Sequence, residues 1–283
     1  MSTIISGKKL SRDMREEMKL EIDQLRKIGI KPHLTVIIVG DDPASESYVR
    51  GKEKACDEIG MDSTIHKLPS STSEKELLIE INKLNEDSSV HGILVQLPLP
   101  AHIHEQKVIA SIHPDKDVDG FHPTNVGKML TGQDTFLPCT PYGIITMLRS
   151  INVELEGKHA VVIGRSNIVG KPVGQLLLNE DATVTYCHSK TTNLQQYTKT
   201  ADILIVAVGR PHVVNADHIK KGAVVIDVGV NRLENGSLTG DVNFEQVKDV
   251  ASYITPVPGG VGPMTITMLL KNTIKAAKGL ATS

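Results

Sequence analysis

Tryptophan is absent from this chain of 283 residues, and only three Phe and five Tyr occur. Its cores must therefore be aliphatic, a composition that suits parallel sheets, whose strands are covered on both faces and read as continuous Val/Ile runs. Long apolar runs are missing too. Stretches such as 203–208 and 224–226 fall far short of the roughly 20 residues that a membrane helix needs, and no basic segment followed by an apolar stretch opens the sequence. The expectation is a cytoplasmic protein with no membrane part. Blocks of like charge are also lacking. The 31 basic and 33 acidic residues are interspersed, with a net charge of -2, so no continuous stripe is available for nucleic-acid phosphates. Cysteine is limited to Cys56, Cys139 and Cys187, at spacings that fit neither zinc nor disulfides, and these read as buried thiols. No HExxH pair occurs among the 11 histidines, and His102 and His104 read as a loop rather than a metal site, so no metal is expected.

What the chain does contain is an alternation of short aliphatic runs with segments of helical period, the pattern of crossover units and parallel sheets. The length suits two domains. The expected fold class is α/β, each domain a mostly parallel sheet flanked by helices. Strands are expected at 34–39, 63–68 and 92–96, with helices at 45–59 and 73–84, the second opened by a capping box of Ser73 and Glu76. A turn-rich stretch with Pro98, Pro100, Pro114, Pro123, Pro138 and Pro141 leads to a helix at 142–148, and the domain junction is placed there. A second alternation has strands at 159–163, 183–187, 203–208 and 224–228 and a helix at 169–178, a Rossmann-type dinucleotide-binding domain. After a strand at 253–257 and a Gly/Pro loop, a final helix at 263–278 is expected to pack back on the first domain. The boundaries are thus 1–139 completed by 264–283, and 140–263.

Gly164-Arg165-Ser166-Asn167-Ile168-Val169-Gly170 follows the strand 159–163 and opens a helix. Such a turn lets backbone approach a pyrophosphate at the positive end of the helix dipole. Its glycine spacing is not G-x-G-x-x-G, so a purely structural turn is the competing reading. NAD-selective sites place a carboxylate after the second strand for the ribose 2'-hydroxyl. Here that strand runs into Cys187-His188-Ser189-Lys190-Thr191 with no acid, and with Arg165 these residues suit a 2'-phosphate, which favours NADP.

The segment 45–59 holds the main anomaly. At about 100° per residue, Tyr48, Lys52, Ala55 and Ile59 share one arc, with Cys56 at its margin and Lys52 its only charge. Such a lysine is desolvated, paired or facing a cleft, with its pKa lowered toward the range useful for proton transfer, or else it snorkels into water. Gly40-Asp41-Asp42-Pro43 and Gln96 lie at strand ends, where open parallel sheets put ligands. Lys116-Asp117-Val118-Asp119-Gly120 sets two carboxylates on a turn, an Asp-rich loop or a cation site thin for calcium. The run from Thr255 to Thr265, rich in Gly and Pro, offers side-chain-poor backbone for a flat ring, or serves as a loop.

Assembled, these segments resemble the bifunctional methylenetetrahydrofolate dehydrogenase/methenyltetrahydrofolate cyclohydrolase family almost end to end. The resemblance is carried by Tyr48-Val49-Arg50-Gly51-Lys52, Val90-His91-Gly92-Ile93-Leu94-Val95-Gln96-Leu97-Pro98, Lys116 to Gly120, Pro138-Cys139-Thr140-Pro141, Gly164-Arg165-Ser166, His188-Ser189-Lys190-Thr191 and Thr255 to Thr265. It implies that Lys52 is the catalytic residue, that Tyr48 stacks on the folate ring, that Gln96 adjusts the lysine and that Asp119 holds the pterin. Val95, Leu97, Pro258, Gly259, Gly260, Val261 and Gly262 would line the folate site. Gly164, Arg165, Ser166, Ser189 and Val230 would contact NADP, and the chain would act on tetrahydrofolate one-carbon derivatives as a homodimer through its second domain. Two alternatives stand beside this: a shikimate-type dehydrogenase with a catalytic lysine, for which no carboxylate pocket is marked, and a non-catalytic NADP-binding regulator.

Overall fold

The computed structural model describes residues 2–280. In chain order the elements are β1 (Thr3–Ile4), α1 (Gly7–Lys27), β2 (His33–Val39), α2 (Pro43–Ile59), β3 (Asp62–Leu68), α3 (Glu74–Glu86), β4 (Gly92–Val95), α4 (Glu105–Ser111), α5 (Pro123–Leu130) and α6 (Cys139–Ser150). Then follow β5 (His159–Ile163), α7 (Gly170–Asn179), β6 (Thr183–Cys187), α8 (Leu194–Thr198), β7 (Ile203–Val206), β8 (Val224–Asp227), β9 (Asn231–Arg232), β10 (Leu238–Thr239), α9 (Phe244–Val247), β11 (Tyr253–Ile254) and α10 (Val261–Leu280).

The chain forms two compact units. One holds Asp13–Cys139 and the chain from Ile266 onward; the other holds the residues up to Arg12 and Thr140–Thr265. The residues before Asp13 thus depart from the expected boundary. The reason is a backbone ladder: β1 pairs in parallel with β11, Thr3 against Tyr253 and Ile4 against Ile254, and Lys8 N–H donates to Gly259 O at 2.9 Å.

In the first unit a parallel sheet has the order β3-β2-β4. Every residue of β2 after His33 is buried, as a central strand covered on both faces requires. The chain leaves β2 for β3 on one side and meets β4 on the other, so the carboxyl ends of β2 and β4 flank the point where the strand order reverses and open α/β sheets bind ligands. Two caps set the flanking helices. Asp42 accepts from Ser45 N–H at 2.8 Å with Pro43 at the first position of α2, and the predicted capping box of Ser73 and Glu76 opens α3. Ile37, Ile93 and Val95 form a core with Leu77 and Ile81 of α3 and Val108 of α4. The C-terminal part of α10 joins this unit, where Asn272 Nδ2 donates to Val118 O at 2.8 Å and Leu137 O at 3.0 Å.

The second unit carries a six-stranded sheet, β1-β11-β8-β7-β5-β6, parallel throughout. Its first crossover runs from β5 to β6, while β7 lies on the opposite side of β5, so this sheet reverses between β5 and β7. β4 and β8 end one residue earlier than the sequence predicts, at Val95 and Asp227, and two strands of this sheet end earlier by more. β7 stops at Val206 because Val208 N–H turns to the Asp241 carboxylate at 2.7 Å. β11 stops at Ile254, since Pro256 and Pro258 beyond it have no N–H to donate. An antiparallel β9–β10 pair completes the unit.

Candidate active site and nucleotide site

Helix α2 buries Ser45, Val49, Lys52, Ala55, Cys56 and Ile59. Lys52, only 9% exposed, is the one charged side chain among them, whereas Tyr48 is 50% exposed. The buried stripe therefore passes through Val49, and Tyr48 sits on its rim rather than within it. Lys52 Nζ donates to Gln96 Oε1 at 2.8 Å. Gln96 in turn donates from Nε2 to Leu97 O at 2.6 Å, and its backbone N–H extends the ladder by donating to Ile37 O at 2.8 Å. These bonds place Gln96 at the carboxyl edge of β4 with its amide oxygen turned to the lysine. Val95 beside it is buried and Leu97 half-buried. Burial pushes the Lys52 amine below the usual lysine range, opposed by the charge of Asp119.

The segment from Lys116 to Gly120 divides its labour. Lys116 is buried and donates to Leu84 O and Asp87 O at 2.9 and 2.7 Å, placing a cation at the C-terminal end of α3, where the helix dipole favours it. Asp117 is buried and accepts from His122 N–H at 2.7 Å and Asn125 Nδ2 at 2.8 Å, which closes the turn. It also bridges in parallel to Ile93, so the register carries Asp119 toward the level of Val95, one residue short of Gln96. Asp119 is the carboxylate left to act on Lys52. Burial pushes its pKa up to about 6, and the Lys52 charge pulls the other way. Neither acid of Gly40-Asp41-Asp42-Pro43 joins this group: Asp42 caps α2, and exposed Asp41 pairs with Lys67 at 3.1 Å.

Cys139 is the residue that sequence reasoning missed. It is fully buried, its thiol donates to Val118 O at 3.3 Å, and it bonds to and faces the Asp119 charge, which with burial drives its own pKa well above the ordinary thiol value. It is a neutral donor at pH 7, not a nucleophile. No spacing of a lone cysteine marks such a role; only its place in Pro138-Cys139-Thr140-Pro141 hinted at one.

In the second unit Gly164 follows β5 with φ +133°, and a Cβ there would come within 2.3 Å of Ala207 O, the residue after β7. Glycine thus lets the loops at the sheet's reversal point touch. Ser166 Oγ accepts from the N–H groups of Val169 and Gly170 at 3.2 Å, starting α7. The N–H groups of Arg165, Ser166, Asn167 and Ile168 have no acceptor among the described residues, and all four residues are exposed. Gly164 N–H donates to Cys187 O at 2.9 Å, bringing in the end of β6, where Ser189 and Lys190 are exposed. Val230, between β8 and β9, is 47% exposed. Free N–H groups, a close-approach glycine and a β6 end without an acid fit a dinucleotide with a 2'-phosphate. Pro258, Gly259 and Gly260 lie between β11 and α10, and Val261 and Gly262 open α10.

Two family models match the chain. Residues 5–119 match the catalytic domain of tetrahydrofolate dehydrogenase/cyclohydrolase, and residues 138–281 match the NAD(P)-binding domain of the same family. The bifunctional protein FolD of Oceanobacillus iheyensis is 67% identical over 280 residues, 99% of this chain and 98% of that protein. Among solved structures, the bifunctional methylenetetrahydrofolate dehydrogenase/cyclohydrolase FolD of Campylobacter jejuni aligns with a TM-score of 0.98 at 53% identity, covering 99% of each chain. The Trypanosoma brucei enzyme, complexed with NADP cofactor and inhibitor, aligns with a TM-score of 0.96 at 39% identity, covering 100% of this chain and 99% of that one.

Proposed function

This chain belongs to the tetrahydrofolate dehydrogenase/cyclohydrolase family, and we propose from that membership and from the Lys52–Gln96–Asp119 geometry that it oxidises 5,10-methylenetetrahydrofolate with NADP+ and hydrolyses the product to 10-formyltetrahydrofolate. The single observation that carries the reading is a buried lysine whose amine meets the amide oxygen of Gln96 at 2.8 Å and lies in the field of Asp119. Relatives at this identity leave neither a shikimate-type dehydrogenase nor a non-catalytic regulator with support.

Gly164, Arg165, Ser166, Ser189 and Val230 hold the nucleotide. When bound, NADP+ supplies the hydride acceptor for the bridging methylene, which becomes the methenyl cation. The chain's own residues then serve the hydrolysis. Tyr48, exposed one turn before Lys52, stacks on the folate ring, and Asp119 holds the pterin. Water adds to the methenyl carbon, and the Lys52 amine, whose proton affinity burial lowers, takes a proton from it. The carbon–N5 bond breaks, N5 takes up a proton, and the remaining hydroxyl proton leaves as the formyl carbonyl forms, with one proton released to solvent. Gln96 keeps the amine in place throughout. Val95, Leu97 and Pro258 to Gly262 are assigned to the folate from the resemblance alone.

The test separates the two activities. In Lys52→Met, methenyltetrahydrofolate supplied without nucleotide should no longer be hydrolysed faster than in buffer, while NADP+ binding stays near normal; unchanged hydrolysis would remove Lys52 from the mechanism.

The protein is also proposed to be a cytoplasmic homodimer. No described helix is long and apolar enough to cross a membrane, and the three free, buried thiols suit a reducing compartment. β6 forms one edge of the six-stranded sheet, and Leu178 and Tyr186 beside it are 53% and 42% exposed.

A further inference from the structure

Two buried carboxylates in the second unit serve neither as caps of long helices nor as partners of any cationic side chain among the described residues. Asp227 at the end of β8 accepts from Gly229 N–H and Asp241 N–H through Oδ1, at 3.0 and 2.9 Å, and from Val242 N–H through Oδ2 at 2.9 Å. Asp241 accepts from Val208 and Gly209 N–H through Oδ2, at 2.7 and 2.9 Å, and from Arg210 N–H and Asn231 Nδ2 through Oδ1, both at 2.9 Å. The two residues are 3% and 0% exposed. Glycine stands where the loops press against them: a Cβ at Gly229 would lie 2.1 Å from Asp241 Oδ1, and one at Gly240 would lie 1.8 Å from Asp227 Oδ2.

The donors share one location. Five of the seven, on Val208, Gly209, Arg210, Gly229 and Asn231, follow the carboxyl ends of β7 and β8, the edge at which a parallel sheet binds its ligand, and the other two, the N–H groups of Asp241 and Val242, come from the segment after β10 that meets them there. The β7 loop begins at Ala207, against which Gly164 is packed. In the β8 loop, Val230 is an apolar residue held out toward solvent while both of its neighbours are tied down, Gly229 to Asp227 and Asn231 to Asp241. Burying two acids is unfavourable unless they are hydrogen-bonded, and seven N–H donors satisfy them here without one arginine or lysine side chain.

We propose that Asp227 and Asp241 are positioning residues for the nucleotide, a carboxylate clasp that fixes the loops after β7 and β8 before NADP binds. The clasp removes the ordering cost that those loops would otherwise carry at binding, so its loss weakens nucleotide affinity and leaves the lysine chemistry of the first unit alone. This rests on the assignment of the nucleotide to the second unit.

Asp241→Asn tests it by putting an amide NH2 opposite backbone N–H groups. The expected result is a rise of about tenfold or more in KM for NADP+, measured with methylenetetrahydrofolate, with nucleotide-free hydrolysis of methenyltetrahydrofolate within about twofold of the parent, twofold being under 0.5 kcal/mol. An unaltered KM overturns the proposal. So does an equal fall in both activities in a folded variant, which would make the pair simply structural. Should Asp241→Asn fail to fold, Asn231→Ala decides: it removes one donor from the clasp, and a KM for NADP+ that stays at the parent value overturns the proposal equally. A parent protein that reduces no NADP+ in the presence of the methylene substrate would instead sink the nucleotide assignment itself.

Discussion

Lys52 and Asp119 titrate in opposite senses for one shared reason, the removal of water from both. Asp119 has a folded pKa of about 6, above its ordinary value of 3.8, so between those values the native chain holds a proton that the unfolded chain has lost, and this group's contribution to stability declines as pH rises through that window. The catalytic consequence has the other sign. Below pH about 6 Asp119 becomes neutral, and under the proposed role it would then lose its anionic hold on the pterin, so kcat/KM for hydrolysis should fall with unit slope on the acid side; a profile flat down to pH 4 would dissociate Asp119 from the reaction. Because one N–H of the Gln96 amide is held by Leu97 O, the side chain is fixed with its oxygen toward the amine. One N–H of Lys52 is spent on that oxygen, and the lone pair of a neutral amine is directed elsewhere. Burial of Lys52 was legible from helical spacing, because one charge on an apolar arc is a local pattern. Cys139 and the Asp227–Asp241 pair were not, because most of their partners lie on other segments of the chain, at separations that no spacing encodes.

At the scale of elements, the sequence showed most of what positions the lysine. The capping box at Ser73, the strand–helix alternation and the glycine turn before α7 all depend on local chemistry, and the structure contains them. Helix α1 went unread, although Met18, Ile22 and Leu25 recur at helical spacing and are buried; it has no strand of the alternation beside it to announce it. Strand ends were read too long where tertiary bonds intervene, as at Val208. Gly51 in α2 remains without a packing reason, since a Cβ there would meet only Ile266 Cδ1 at an ordinary 3.6 Å. Gly51→Ala should therefore stabilise the protein by about 1 kcal/mol, the helix-propensity difference, as seen in the urea midpoint. A stability gain accompanied by a raised KM for the folate would assign this glycine to substrate approach; a loss of stability would show that the helix needs it.

For the molecule as a whole, the two sheets repeat one device, a reversal of strand order with polar groups gathered at the carboxyl edge. The proposed dimer belongs to this scale. Light scattering at low micromolar concentration should give about 61 kDa, twice the 30.7 kDa chain, and Tyr186→Glu, on edge strand β6, should shift the mass toward one chain; a parent protein that is already a monomer refutes the assembly. Sequence could not decide it, since an exposed strand edge looks the same in the chain whether covered or bare. The pairing of Ile4 with Ile254 has a further bearing on how the chain is made. β1 waits for a partner strand that is made about 250 residues later, and the first unit likewise waits for the part of α10 from Ile266 onward. At about 5–20 residues per second, the three strands of the first sheet are all made by Val95, yet the six-stranded sheet stays open until β11 is synthesised and the core of the first unit stays open until the later turns of α10 follow.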